Sequence, residues 1–208
     1  MSRELTKRIL SSLVLIPISL FFIIKGSFLF IIFLLICFGI IIYEWHMMSK
    51  KKSYYFLGYI FLFLSFYSIY KLRIDNDYWF LLIVLIICIS TDIGGYLFGK
   101  IFKGPKLSKF SPNKTYAGMI GGYLLSLLSA IILNNFYFIE ELPINQFIFV
   151  VLISSVSQLG DIIISYFKRL SKIKDTGKII PGHGGLLDRV DAMIFAFPFS
   201  YLIVLINY

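Results

Sequence analysis

Tyr78-Trp79-Phe80-Leu81-Leu82-Ile83-Val84-Leu85-Ile86-Ile87-Cys88-Ile89-Ser90-Thr91-Asp92-Ile93-Gly94-Gly95-Tyr96-Leu97-Phe98 carries one charged residue, Asp92, in its whole length. An α-helix rises 1.5 Å per residue, so about 20 apolar residues are what it needs to cross a hydrocarbon core of roughly 30 Å. No water is present there to satisfy backbone groups, so a chain this apolar crosses as a helix, whose hydrogen bonds are internal. The run predicts a transmembrane helix, and Asp92 becomes the first residue that requires explanation.

Outward from this run, charged breaks delimit six more apolar stretches: Ile9 to Ile24, Phe28 to Tyr43, Tyr54 to Tyr70, Tyr116 to Leu133, Ile144 to Phe167 and Ala192 to Ile206. The expected fold is all-α, a polytopic transmembrane helical bundle of about seven spans in a single integral membrane domain over residues 1–208. Composition agrees: 59% of the 208 residues are hydrophobic and 15% charged, against about 45–50% and about 25% in soluble domains. The net charge of +9 does not mark a nucleic-acid binder, because the basic residues lie between apolar runs instead of along a soluble face. Cys37 and Cys88 sit inside apolar runs, without neighbours at metal-ligand spacing, and read as packing residues. Arg3, Lys7 and Arg8 ahead of Ile9 imitate a secretory signal, but the first alanine is Ala117, so no A-x-A-like cleavage site follows and a retained anchor is expected.

Lysine and arginine set the orientation, since cytoplasmic loops keep them. One side of the predicted bundle collects Arg3, Lys7 and Arg8, then Lys50 to Lys52, then Lys100, Lys103, Lys106, Lys109 and Lys114, then Lys168, Arg169, Lys172, Lys174, Lys178 and Arg189. The other side has only Lys25, Lys71 and Arg73. The N-terminus is therefore expected in the cytoplasm and the C-terminus outside. The two largest polar loops, Gly99 to Thr115 and Lys168 to Asp191, then face the cytoplasm, and chemistry is expected there.

Asp92 stands eight residues before Lys100, about 12 Å from that edge of the membrane, and Asp161 stands at a similar depth, seven residues before Lys168. An ionised Asp among lipid tails costs about 2.5–3.5 kcal/mol on insertion scales, so such residues normally face a polar cavity; a structural hydrogen bond to a neighbouring helix is the alternative. Asp188 and Asp191, three residues apart at the start of the last span, would share one helix face. Oxygen-only ligands favour magnesium over zinc, and Asp161, Asp188 and Asp191 are the expected metal ligands. Acids at a helix start also interact with the helix dipole, which explains one such residue but not the set.

Pro181-Gly182-His183-Gly184-Gly185 is a turn whose backbone N–H groups could reach phosphate oxygens. His183 is either a loop hydrogen-bonder or a catalytic group. Lys168, Arg169, Lys172 and Lys174, between Asp161 and this turn, are placed to bind phosphate, although a positive-inside flank has the same composition. Ser111, Lys114 and Thr115 suit a triphosphate or headgroup contact; equally, Ser111 to Thr115 is a turn followed by close helix packing through Gly118, Gly121 and Gly122.

The pattern Ser165-x-x-Lys168-Arg169-x4-Lys174-Asp175-x-Gly177-x3-Pro181-Gly182-His183-Gly184-Gly185-Leu186-x-Asp188-Arg189-x-Asp191 resembles the signature of phosphatidate cytidylyltransferases, or CDP-diacylglycerol synthases. The Asp92 segment, the Ser111 to Gly118 loop and Gln158 to Asp161 are similar to motifs of that family too. The likeness covers 78–208, taken as the catalytic part, while 1–77 matches only in being hydrophobic. That family usually has a lysine where Asn113 stands and an acid where Ala117 stands. The resemblance implies transfer of CMP from CTP to phosphatidate, with magnesium and a monovalent cation such as K+ near Asp161 and Asp188. It implies catalytic roles for Asp161, Asp188, Lys168, Arg169, Lys174, His183 and Arg189, and substrate contacts from Asp92, Ser111, Lys114, Thr115, Ser165, Gly182, Gly184 and Gly185. Membrane lipids surround such an enzyme, a homodimer is an open option, and the expected location is the bacterial inner membrane. A CTP-dependent lipid kinase and, with less support, a small membrane transporter are the competing functions; transporters usually carry inverted repeats, which this chain lacks.

Overall fold

The computed structural model describes residues 3–50, 52–107, 111, 114–136, 144–182 and 184–207. Among them are the helices α1 (Arg3–Lys25), α2 (Ser27–Ser49), α3 (Tyr55–Asp75), α4 (Tyr78–Phe102), α5 (Tyr116–Phe136), α6 (Gln146–Leu170), α7 (Leu187–Val190) and α8 (Met193–Asn207). Each predicted span falls on a helix, and five of the seven fall on helices whose described residues are long and apolar enough to cross a membrane. The helices mostly outlast the apolar runs, because helical hydrogen bonds persist when side chains turn polar. Among the described residues α2, α3, α4, α6 and Tyr116–Asn134 of α5 are long and apolar enough to span a membrane, while Leu13–Lys25 and Met193–Asn207 are shorter apolar helices. Their outer faces carry large bare hydrophobic side chains, such as Phe28, Phe56 and Ile206 at 71%, 75% and 81% exposure. A continuous apolar surface of this kind belongs in lipid; the chain is an integral membrane protein.

The chain forms two compact units. One comprises Met1–Tyr78 and Lys168–Asp191, the other Trp79–Phe167 and Ala192–Tyr208. The segment 168–191, which carries most of the signature, groups with the N-terminal helices.

In the first unit, α1 and α2 form a hairpin through Gly26, whose φ of +63° suits a residue without a Cβ. Arg73, in the last turn of α3, closes this hairpin: its Nε donates to the Ile23 carbonyl at 2.8 Å and Nη2 to that of Ile24 at 3.3 Å. Those carbonyls are among the last of α1 and have no helical partner, so a cation there satisfies both the hydrogen bond and the dipole. The Trp45 indole of α2 lies on Gly58 of α3, where any side chain would collide with it. Two hydroxyls anchor the segment 168–191 to this unit: Ser11 donates to the Pro181 carbonyl at 3.2 Å, and Tyr54 pairs with Ser171 at 2.7 Å.

In the second unit, α4 and α5 approach backbone to backbone. A Cβ added at Gly94 would stand 2.3 Å from the Gly121 carbonyl oxygen, and one at Gly118 would stand 2.6 Å from that of Gly95. Small residues replace side-chain interdigitation here, as is common between helices in lipid. Thr91 ties α4 to α6 by donating to Ser154 at 2.9 Å, and Gln158 reaches from α6 to the Met119 carbonyl of α5 at 3.5 Å.

Candidate active site

The segment that carries most of the signature starts where α6 ends. Lys172 adopts φ +59°, Ile173 N–H donates to the Lys168 carbonyl and Lys172 N–H to that of Arg169, both at 3.0 Å. This pair of bonds around a left-handed residue is the Schellman motif, which terminates a helix by satisfying its final carbonyls. Lysine fills the position that glycine usually takes. The stop turns the chain back at once, leaving Lys168 as the inward-facing end of α6.

Lys168 Nζ lies 3.0 Å from Asp188 Oδ1 and 3.4 Å from Asp191 Oδ2. The Asp188 side chain is only 3% exposed. The two acids do point one way, as their spacing predicts, although Asp188 belongs to the separate short helix α7 and Asp191 lies between α7 and α8. Asp188 Oδ2 also accepts backbone N–H bonds from Thr176 at 2.7 Å and Gly185 at 3.0 Å. Charge-assisted bonds of this kind are about twice as strong as neutral ones. They fix the carboxylate and leave Oδ1 toward the lysine.

Glu44, on α2, is a participant that the sequence reading omitted. It is 1% exposed, and among the described residues its side-chain bonds reach the segment 176–187. Its Oε1 accepts from Leu186 N–H at 2.9 Å, and its Oε2 accepts from Leu187 N–H at 2.8 Å and the Thr176 hydroxyl at 3.1 Å. Gly177 and Gly185 make room for it: a Cβ at either would come within 2.7 Å of a Glu44 oxygen. A single acid in the otherwise apolar run Ser27 to Ser49 was the available signal. Its distance along the chain hid the partners.

The glycine-rich turn is closed by its own backbone bonds. Gly182 and Gly184 have φ of +77° and +89°, and Ile180 and Gly184 exchange two backbone bonds across the turn, at 2.9 and 3.2 Å. The N–H of Gly184 therefore goes to Ile180 and that of Gly185 to Asp188. The turn acts as a scaffold for Asp188. His183 lies outside the described residues, as do Lys109, Pro112 and Asn113. Arg169, Lys174 and Arg189 are exposed, with Arg169 Nη1 donating to the Ile173 carbonyl at 3.1 Å.

The second unit holds the remaining candidates. Asp161 forms an ion pair with Lys114 and accepts a long bond from the Ser165 hydroxyl, at 3.4 Å. Lys114 itself is set by a short backbone clasp: its N–H donates to the Ser111 carbonyl at 3.1 Å, and its carbonyl accepts from Leu107 at 2.8 Å. Thr115 Oγ1 accepts from Gly118 N–H at 3.1 Å, which caps α5; helix packing through Gly118, Gly121 and Gly122 is also observed. Asp92 is exposed on α4. Asp161 and Asp188 thus belong to different units, each paired with its own lysine.

Comparison with known proteins gives the site its context. A model of the cytidylyltransferase family matches residues 53–207. The chain is 34% identical to a protein of Rickettsia felis, over 94% of this chain and 90% of that one. It is 36% identical to a protein of Rickettsia bellii, over 94% and 89%, and 38% identical to one of Staphylococcus haemolyticus, over 68% and 55%. Each of the three is named phosphatidate cytidylyltransferase.

Proposed function

Because the chain belongs to the cytidylyltransferase family, we propose that it transfers CMP from CTP to phosphatidate, giving CDP-diacylglycerol and pyrophosphate for phospholipid biosynthesis. Similarity to phosphatidate cytidylyltransferases along 94% of the chain carries this reading. The charged cluster around Asp188 supplies the chemistry it requires.

A phosphate oxygen of phosphatidate bonds to the α-phosphorus of CTP. The bond from that phosphorus to the oxygen bridging to the β-phosphate breaks, and pyrophosphate leaves with that oxygen. A phosphate monoester is already ionised near neutral pH, so the protein need not supply a nucleophile. Its work is positioning and charge neutralisation. Two unit anions 4 Å apart repel by about 1 kcal/mol in water and about 4 kcal/mol at an effective dielectric of 20, so cations must offset two polyanionic substrates.

The donor set fits magnesium. Asp188 and Asp191 offer oxygen alone, and both already face one cation, Lys168 Nζ. Among the described residues no group of three or more His, Cys, Asp or Glu is placed to hold a metal; magnesium is commonly held by one or two carboxylates together with substrate phosphates. When bound, it would neutralise phosphate charge. Lys168 offsets the charge of the two carboxylates it bridges, and the exposed Arg169, Lys174 and Arg189 offer further positive charge to the phosphates. Within the second unit, Asp161 with Lys114 and Ser165 forms a polar group of its own. The lysine and arginine distribution supports a cytoplasmic face for both loops, where CTP is available, in the inner membrane of a bacterium.

Incubation of the purified protein with phosphatidate, magnesium and α-labelled CTP tests this. Label is expected in the organic-extractable lipid; label retained wholly in CDP would instead identify a lipid kinase. Asp188→Asn and Asp161→Asn are each expected to lower turnover at least about 100-fold at unchanged expression, and near-normal rates would remove those assignments.

A further inference from the structure

We propose that Glu44 is a positioning residue for this reaction: through Thr176 and the turn at 185–187 it fixes the Asp188 carboxylate in the orientation that holds a divalent cation. The inference rests on the metal-binding role proposed for Asp188. Neither the signature nor the family match includes Glu44, since the match begins at residue 53.

Two acids interlock through one residue. Thr176 donates its backbone N–H to Asp188 Oδ2 at 2.7 Å and its hydroxyl to Glu44 Oε2 at 3.1 Å. Next along the chain, Gly185 N–H goes to Asp188 while Leu186 and Leu187 N–H go to Glu44. Glu44 therefore holds Thr176 and the residues that follow Gly185, the two donors to Asp188 being Thr176 and Gly185. Its three donors among the described residues belong to the 176–187 segment, and the residue is 1% exposed, so its charge acts on that segment. Groups that orient a metal ligand from behind typically account for 10–100-fold in metal affinity or activity. Glutamine has the right shape but would turn an N–H toward the Leu187 donor or the Leu186 donor, whichever way its amide lies.

The test is Mn2+ binding to the full-length protein in detergent, followed by the electron-paramagnetic-resonance signal of free manganese, for the unaltered protein and for Glu44→Gln, Thr176→Val and Thr176→Ser. Glu44→Gln and Thr176→Val are expected to weaken binding about 10–100-fold. Thr176→Ser keeps both donors and is expected to bind like the unaltered protein. The magnesium concentration for half-maximal cytidylyl transfer should rise in the same order, with the KM for phosphatidate unchanged. If Glu44→Gln does not fold, the Val and Ser variants decide between the outcomes. Undiminished binding in Glu44→Gln, or in Thr176→Val, overturns the inference alone. Absence of manganese binding by the unaltered protein overturns the metal role of Asp188, and this inference with it, while leaving the measured transferase activity to speak for the reaction.

Discussion

Lys168 faces two carboxylates with a side chain 11% exposed, which makes it the residue whose loss should be felt most. Removing one partner of a buried ion pair typically costs about 3–5 kcal/mol, because the remaining charge stays uncompensated. In Lys168→Met, Asp188 and Asp191 would face one another directly. Its unfolding midpoint in detergent is expected to fall, and added magnesium should restore more of it than in the unaltered protein, since a divalent cation can replace the ammonium. A midpoint insensitive to magnesium would count against the carboxylate pair as a metal site. At this scale the sequence was informative where a motif recorded side chains: the spacing of Asp188 and Asp191 predicted that they share a direction, and they do. Glu44 was not legible because its partners are mainly backbone N–H groups 142 and 143 residues away, and a sequence lists no backbone donors as distinctive.

Helices were the legible scale. Hydrophobic runs between charges located α1 to α6 and α8, since in lipid no other backbone arrangement is open to a single apolar segment. The short α7 escaped that reading; its four residues, Leu187–Val190, depend on acceptors from Glu44 and carry too little periodicity to be recognised. Close contact of α4 with α5 is a property of glycine pairs. Gly94→Ala would put a methyl group 2.3 Å from the Gly121 carbonyl, and overpacking of this kind costs about 1–3 kcal/mol; a lowered unfolding midpoint is expected, and an unchanged one would mean that the helices separate easily. The Schellman end of α6 gives the opposite sign. Lys172 at φ +59° bears a left-handed conformation that costs an L-residue roughly 1–2 kcal/mol, so Lys172→Gly should raise the midpoint in the same assay.

For the molecule as a whole, the sequence reading divided the chain at residue 77 into N-terminal spans and a catalytic part. By contacts, one compact unit comprises Met1–Tyr78 together with Lys168–Asp191. Hydropathy could not reveal this, because it finds helices without finding their neighbours. The expected orientation is open to a direct measurement: alkaline phosphatase, which works only outside the cytoplasm, should be active when fused after Asn207 and inactive when fused after Lys52. The reverse pattern would invert the topology and move the charged loops away from CTP.

Anyone trimming this protein to its family-matching portion, from residue 53 onward, would remove α2 with it. Leu186 and Leu187 amides and the Thr176 hydroxyl would then lose their common acceptor. A minimal catalytic fragment is accordingly expected to begin upstream of the recognised family segment, and a chimera that borrows its leading helices is expected to need an acid at the position of Glu44.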